Sequence, residues 1–193
     1  MASIWADSMK IIAIIPAKGN SERLPEKNIY PIWGKPMLYW AIKACHDSEY
    51  NIEPWVSTES KKVANIALKY GAKIHNRSAE LADSKTYKQA VIRNAAEYIV
   101  ENHGGADIFI SLQANSPQII GKDLDMGINT MLFYKRSELF SVDSNLMQNA
   151  AFRIFKGNYV FQEDLSTNCG VVICDIDDVH TAEDVESIEK NKL

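Results

Sequence analysis

The stretch "KIIAIIPAKGNSERLPEKN", residues 10–28, decides how the chain begins to fold. Its apolar start, "KIIAII", reads as a buried strand. From Pro16 to Asn28 the composition changes to Gly, Ser, Pro and alternating charge, over more residues than a simple connection needs. Two readings fit: a solvated loop in which Pro25 makes a turn, or a loop built to hold an anion. Gly19 lets the backbone approach a ligand closely, and successive N–H groups in such a loop form an anion-binding nest. Lys18, Arg23 and Lys27 add positive charge. The spacing is neither G-x-x-x-x-G-K-[ST] nor G-x-G-x-x-G.

Working outward, "KPMLYWAIKACHDS" (35–48) places Met37, Leu38, Ala41, Ile42 and Cys45 at helical spacing. "EPWVSTES" (53–60) is a short strand, and "ESKKVANIALKYGAK" (59–73) is an amphipathic helix stopped at Gly71. "AKIHN" (72–76) is a strand, "TYKQAVIRNAAEYIVENHGG" (86–105) a helix and "ADIFISLQ" (106–113) a buried strand. A helix over 121–134, strands within 151–160 and 170–177, and a closing helix in "TAEDVESIEKN" complete the order. Thr181 and Asp184 form a capping box with Asp in place of Glu. The pattern blurs most between Ser137 and Met147. Strands alternating with helices predict a three-layer α/β fold, a mostly parallel sheet covered on both faces. Ligands bind such folds beyond the carboxyl ends of the strands. Polar clusters at 16–28, 113–117 and 175–178 follow candidate strands.

The 193 residues suffice for one substantial core. Residues 1–8 read as an N-terminal extension, with Met9 the natural start, and 9–193 as a single domain. A net charge of -4 argues against a nucleic-acid partner held by broad positive charge, while a nucleotide needs only a local cationic loop. Three cysteines without a C-x-x-C pair point away from a disulfide framework or a structural zinc, and fit a reducing cytosol. Cys45 and Cys174 read as packing residues. The first residues lack the basic-then-apolar order of a signal peptide, and no apolar stretch is long enough to span a membrane. A cytoplasmic protein is expected.

"IIPAKGNSERLPEKNIYPIWGKPMLYWAI" resembles the opening of the acylneuraminate cytidylyltransferase family, whose signature is close to P-A-R-G-G-S-K-R-L-P-G-K-N followed by G-K-P. Pro16, Ala17, Gly19, Ser21, Arg23, Leu24, Pro25, Lys27, Asn28, Gly34, Lys35 and Pro36 match it. Lys18 stands where the family has Arg, Asn20 and Glu26 where it has Gly, and Glu22 where it has Lys. "VSTES" resembles V-S-T-D, "RSAELADSKT" resembles A-E-L-A-x-D, and "SLQANSP" resembles L-L-Q-P-T-S-P, the turn that flanks the pyrimidine. "QNAAFRI" resembles x-N-G-A-I-Y-I, and "DIDDVHTAED" resembles D-I-D-T-P-E-D with a two-residue expansion that contains His180.

The resemblance implies the nucleotide-diphospho-sugar transferase type of Rossmann-like fold, and transfer of CMP from CTP to an acidic sugar such as an N-acylneuraminate, releasing pyrophosphate. It implies phosphate-holding catalytic roles for Lys18, Arg23 and Lys27. It implies nucleotide contacts from Pro16, Ala17, Lys18, Gly19, Asn20, Ser21, Lys27, Asp83, Gln113, Asn115 and Ser116. On residue chemistry alone, Asp175 and Asp177, two apart on an extended chain, share one face, where a hard cation such as Mg²⁺ offsets their repulsion; the other reading is a solvated acidic turn. The resemblance assigns that pair to metal, and Asp178 is expected to face elsewhere and cap the turn. His46, His75, His103 and His180 receive no catalytic role. The region around 137–148 is shorter than in full-length relatives and normally carries part of the sugar-binding surface and the dimer arm, so a homodimer with a reduced interface is expected. The alternatives are a related nucleotidyltransferase using another sugar, a phosphonate or another nucleotide, and a non-catalytic nucleotide-binding homologue.

Overall fold

The computed structural model describes residues 9–83, 86–164 and 166–190. The strands are β1 (Ile11–Pro16), β2 (Pro31–Ile32), β3 (Lys35–Pro36), β4 (Ile52–Thr58), β5 (Lys73–Asn76), β6 (Ile108–Leu112), β7 (Glu138–Val142), β8 (Gln148–Lys156) and β9 (Cys169–Ile173). The helices are α1 (Met37–His46), α2 (Lys61–Lys69), α3 (Lys88–His103), α4 (Gly121–Phe133) and α5 (Ala182–Lys190). Among the described residues, seven strands form one sheet in the order β5-β4-β1-β6-β8-β7-β9. β1 pairs in parallel with β4 and β6, β4 with β5, and β7 with β9. β8 runs antiparallel to both of its neighbours.

β1 shows why its sequence is apolar without alternation. Ile11, Ala13 and Ile15 enter a core with Leu38, Ile42, Val63 and Leu124 on one face of the sheet. Ile12 and Ile14 enter a second core with Ile92, Ala95, Ile99 and Phe155 on the other. A strand buried on both faces must be apolar throughout. Each fully buried isoleucine contributes about 1.5–3 kcal/mol over an exposed one. Cys45 and Cys174 lie in the first core, and burial pushes the Cys174 thiol up to about 12.

A third cluster ties the opening loop to the end of the chain. Leu24, Ile32 and Met37 pack with Val179, Val185 and Ile188. β2 and β3 form a hairpin around Trp33 and Gly34, with φ of 52° and 74°. Both signs match a type I′ turn. The Trp33 N–H donates to Glu189 Oε1 at 2.7 Å, a second link from the hairpin to α5. At the start of α5 the expected capping box is present. Thr181 N–H donates to Asp184 Oδ2 at 2.8 Å, and Asp184 N–H donates to Thr181 Oγ1 at 3.3 Å.

The blurred stretch at 137–147 resolves into β7 and a tight turn. β7 hides its pattern because it buries Glu138 and Ser141 beside Leu139. Glu138 is ion-paired with Arg153 of β8, and Ser141 Oγ donates to Phe152 O at 3.1 Å. Asp143 Oδ1 then accepts from the N–H groups of Asn145 and Met147, each at 2.9 Å.

Candidate active site

The loop after β1 is anchored along its length. Ala17 N–H continues the β1–β4 pairing by donating to Ser57 O at 2.9 Å. Gly19 N–H donates to Glu59 Oε1 at 2.7 Å. A Cβ on Gly19 would lie 2.5 Å from Ser60 Cβ, so the close approach requires glycine. Asn28 is buried and donates from Nδ2 to Lys18 O at 2.8 Å. Leu24 fixes the far side through the cluster under α5. One donor of the expected nest is therefore occupied by the protein's own carboxylate.

That carboxylate is itself held. Arg77, buried at the end of β5, donates to Glu59 Oε2 from Nε at 3.0 Å and from Nη2 at 2.9 Å. Burial pushes the Glu59 carboxyl up, but the Gly19 N–H, its own backbone N–H and Arg77 together hold it below the ordinary value.

Beyond the loop lies a cleft of about 210 Å³. Pro16, Lys18 and Lys27 reach it from the loop, Arg77, Asp83 and Lys88 from the segment leading into α3, and Asn115 from the turn after β6. Burial lowers the Lys27 pKa, and Arg23 lowers it further. Lys88 is exposed over the residue as a whole, yet the protein crowds its ammonium, and burial lowers its pKa against the opposing pull of Asp178. The ammonium donates to Gln113 Oε1 at 3.0 Å and to Ala150 O at 3.4 Å. This orients the Gln113 amide with its oxygen toward Lys88.

The remaining expected residues divide. Ala17 is fully buried in the core and serves packing. Asn20 is exposed and Ser21 half-buried, outside the cleft lining. Arg23 is exposed, with Nη2 3.3 Å from His180 Nδ1. Asn115 is buried and holds the C-terminal segment, donating from Nδ2 to Val179 O at 2.8 Å. Ser116 is buried and donates from Oγ to Asp178 Oδ1.

The acidic segment follows the last strand. β9 ends at Ile173, before Asp175 and Asp177, yet the alternation of burial continues past it: Cys174 is buried, Ile176 and Asp178 are half-buried, and the two aspartates share the exposed side. Asp175 Oδ1 accepts from Ser144 N–H at 2.7 Å, and Asp177 N–H donates to Gln118 Oε1 at 2.6 Å. Asp178 faces away from that pair, as expected: it is half-buried, accepts from Ser116 Oγ, and its charge acts on both Lys27 and Lys88. Among the described residues no three of His, Cys, Asp and Glu gather closely enough to hold a metal ion by themselves.

Sequence reasoning passed over Arg77, Lys88, Asn28 and Asp178 as site residues. Asn28 had a signal, since it closes the matched signature. Lys88 had none: at the start of an amphipathic helix it reads as solvent-facing.

A family model described as cytidylyltransferase matches residues 12–168. The chain is 33% identical over 135 residues to N-acylneuraminate cytidylyltransferase A of Danio rerio, covering 70% of this chain and 30% of that protein. It is 35% identical over 117 residues to a pseudaminic acid cytidylyltransferase of Campylobacter jejuni, covering 60% of this chain and 50% of that protein. The chain thus matches half or less of the length of these two relatives. Among solved structures it resembles CMP:2-keto-3-deoxy-manno-octonic acid synthetase in complex with CTP, with a TM-score of 0.73 at 17% identity, covering 94% of this chain and 97% of that one. The structural likeness speaks for the fold. Among the described residues no helix is long and apolar enough to cross a membrane.

Proposed function

Because this chain belongs to the cytidylyltransferase family, we propose that it transfers CMP from CTP to an acidic sugar, an N-acylneuraminate or related nonulosonate, and releases pyrophosphate. The observation that carries this reading is the cleft at the ends of β1 and β6, where Lys18, Lys27, Arg77 and Lys88 surround a space bordered by the buried amide of Asn115. Fixed cations aimed at a triphosphate provide positioning and charge neutralisation, the main needs of phosphoryl transfer. The acceptor's hydroxyl attacks the α-phosphorus, the bond to the β-phosphate oxygen breaks, and pyrophosphate leaves with its charge offset by the loop lysines. Lys18 and Lys27 bind the phosphates, and Arg23 stands at the rim.

Mg²⁺ belongs to this proposal. It uses one or two carboxylates and completes its shell with phosphates and water. That chemistry fits a segment offering Asp175, Asp177 and Asp178 without a closed cage. Bound there, it would offset charge at the reacting phosphoryl group. Asp178 is the member whose charge reaches the lysines. We also place the protein in the cytoplasm and expect a homodimer.

The test is titration of CTP, GTP and ATP, with Mg²⁺ and with chelator, into wild type, Asp177→Asn and Asp178→Asn. CTP is expected to bind most tightly, with a Mg²⁺-dependent gain that the Asp178 change removes. Tighter GTP binding overturns the choice of base. The second reading, a nucleotide-binding homologue without catalysis, draws on the Gly19 N–H already engaged by Glu59. CTP binding without pyrophosphate release across a panel of acidic sugars would favour it.

A further inference from the structure

Three surface lysines and one lysine of the cleft are held differently. Lys43, Lys62 and Lys73 each pair with a carboxylate. Lys88, the first residue of α3, meets only the neutral oxygens of Gln113 and Ala150, and among the described residues it forms no ion pair. Neutral oxygens position an ammonium without neutralising it, so its charge stays available to a ligand. An ammonium has three donors, and two are engaged.

Meanwhile the loop opposite is poorer in positive field than its spacing suggests. Glu59 occupies the Gly19 N–H, and Glu22 and Glu26 add negative charge to the loop. Lys88 lines the same cleft as Lys18 and Lys27, from another element. On the reading of the cleft as a nucleotide site, we propose that Lys88 is a further phosphate-binding residue, with its remaining donor directed to a phosphate oxygen of the bound nucleotide. Gln113 and Ala150 hold the ammonium in place before the ligand arrives. Asp178 acts on it from a distance and opposes the lowering that burial causes. The sequence places no such role here, since the side chain sits on a helical pattern whose polar positions normally face water.

Calorimetric titration of CTP with Mg²⁺, cytidine, and tripolyphosphate into wild type, Lys88→Met and Lys88→Arg tests this. Lys88→Met is expected to weaken CTP and tripolyphosphate at least tenfold and to leave cytidine within twofold. Lys88→Arg keeps the charge and is expected to stay within threefold of wild type for all three. CTP affinity of Lys88→Met within twofold of wild type overturns the proposal. So does an equal loss for cytidine, which would mean that Lys88 acts on the base through Gln113. Lys88→Gln replaces Lys88→Met if circular dichroism shows the latter unfolded. A wild type that binds tripolyphosphate but not CTP refutes the cytidylyltransferase reading while leaving the Lys88 comparison decisive. A wild type that binds neither overturns both.

Discussion

Glu59 accepts the backbone N–H of Gly19 at 2.7 Å on one carboxylate oxygen and the Arg77 guanidinium on the other. The ends of β1, β4 and β5 are thereby joined through one side chain. The loop that carries Lys18 and Lys27 depends on this joint for its place above the cleft.

Gly19→Ala tests the contact directly. Its new Cβ would stand 2.5 Å from Ser60 Cβ, so the loop must move. A loss of about 1–3 kcal/mol in denaturant-measured stability is expected. CTP affinity is expected to fall by more than that loss explains at temperatures where the protein stays folded.

Glu59→Gln keeps an acceptor for Gly19 but removes the charge opposite Arg77. The Arg77 side chain is 3% exposed and that of Glu59 22%. Breaking a fully buried pair costs about 3–5 kcal/mol, and the partial exposure of Glu59 reduces this to about 2 kcal/mol. Urea unfolding measures it. A change below about 0.5 kcal/mol would show that Arg77 is not held by this pair.

Glu26 occupies a left-handed backbone position, φ 53°, where the resembling signature has glycine. The conformation costs a side-chain-bearing residue about 1 kcal/mol or more. The carboxylate is 2.6 Å from Lys62 Nζ in an exposed ion pair that returns less than about 1 kcal/mol. Glu26→Gly is therefore expected to match or exceed wild type in stability, and Glu26→Ala to fall below it. Thermal unfolding of the two variants side by side gives the order, and Ala above Gly would contradict the account.

His75 is buried, with Nδ1 3.0 Å from Ser57 Oγ. Burial, then the charge of Arg77, lowers its pKa. The unfolded chain therefore binds the proton more readily than the folded one, and stability rises with pH in this window. The contribution is complete above the ordinary histidine value and is lost as pH falls through and below it. The midpoint of thermal unfolding is expected to drop between pH 7.5 and pH 5, and to drop less in His75→Gln. Equal slopes would remove His75 as the source.

Assembly has its own test. Leu146 and Met147 are 66% and 67% exposed, and Val171 and Ile173 of the edge strand β9 are 48% and 50% exposed. An exposed apolar edge is a natural pairing surface. Sedimentation over a concentration series is expected to show a dimer that Met147→Asp with Ile173→Asp converts to monomer. A wild type that stays monomeric at the highest concentration contradicts the expected homodimer.

The sequence by itself determined the alternation of strands and helices, because β1 and β6 are buried on both faces and α2 and α3 present one apolar side, and those periods survive in any context. It marked Gly19 as a point of close backbone approach, while Leu24 and Asn28 entered only as matches to the resembling signature and were shown to be anchors by their burial. Only the tertiary structure decided which charges meet. Glu59 and Arg77 are joined across two strand ends, Lys88 reaches Gln113 from another element, and Asp178 is held by Ser116 from the turn after β6. Local pattern cannot decide such pairings, because the direction of a charged side chain beyond a strand end is set by neighbours distant in the chain. β7 was hidden for the same reason: its buried Glu138 is satisfied by Arg153, a partner that pairing with β8 supplies.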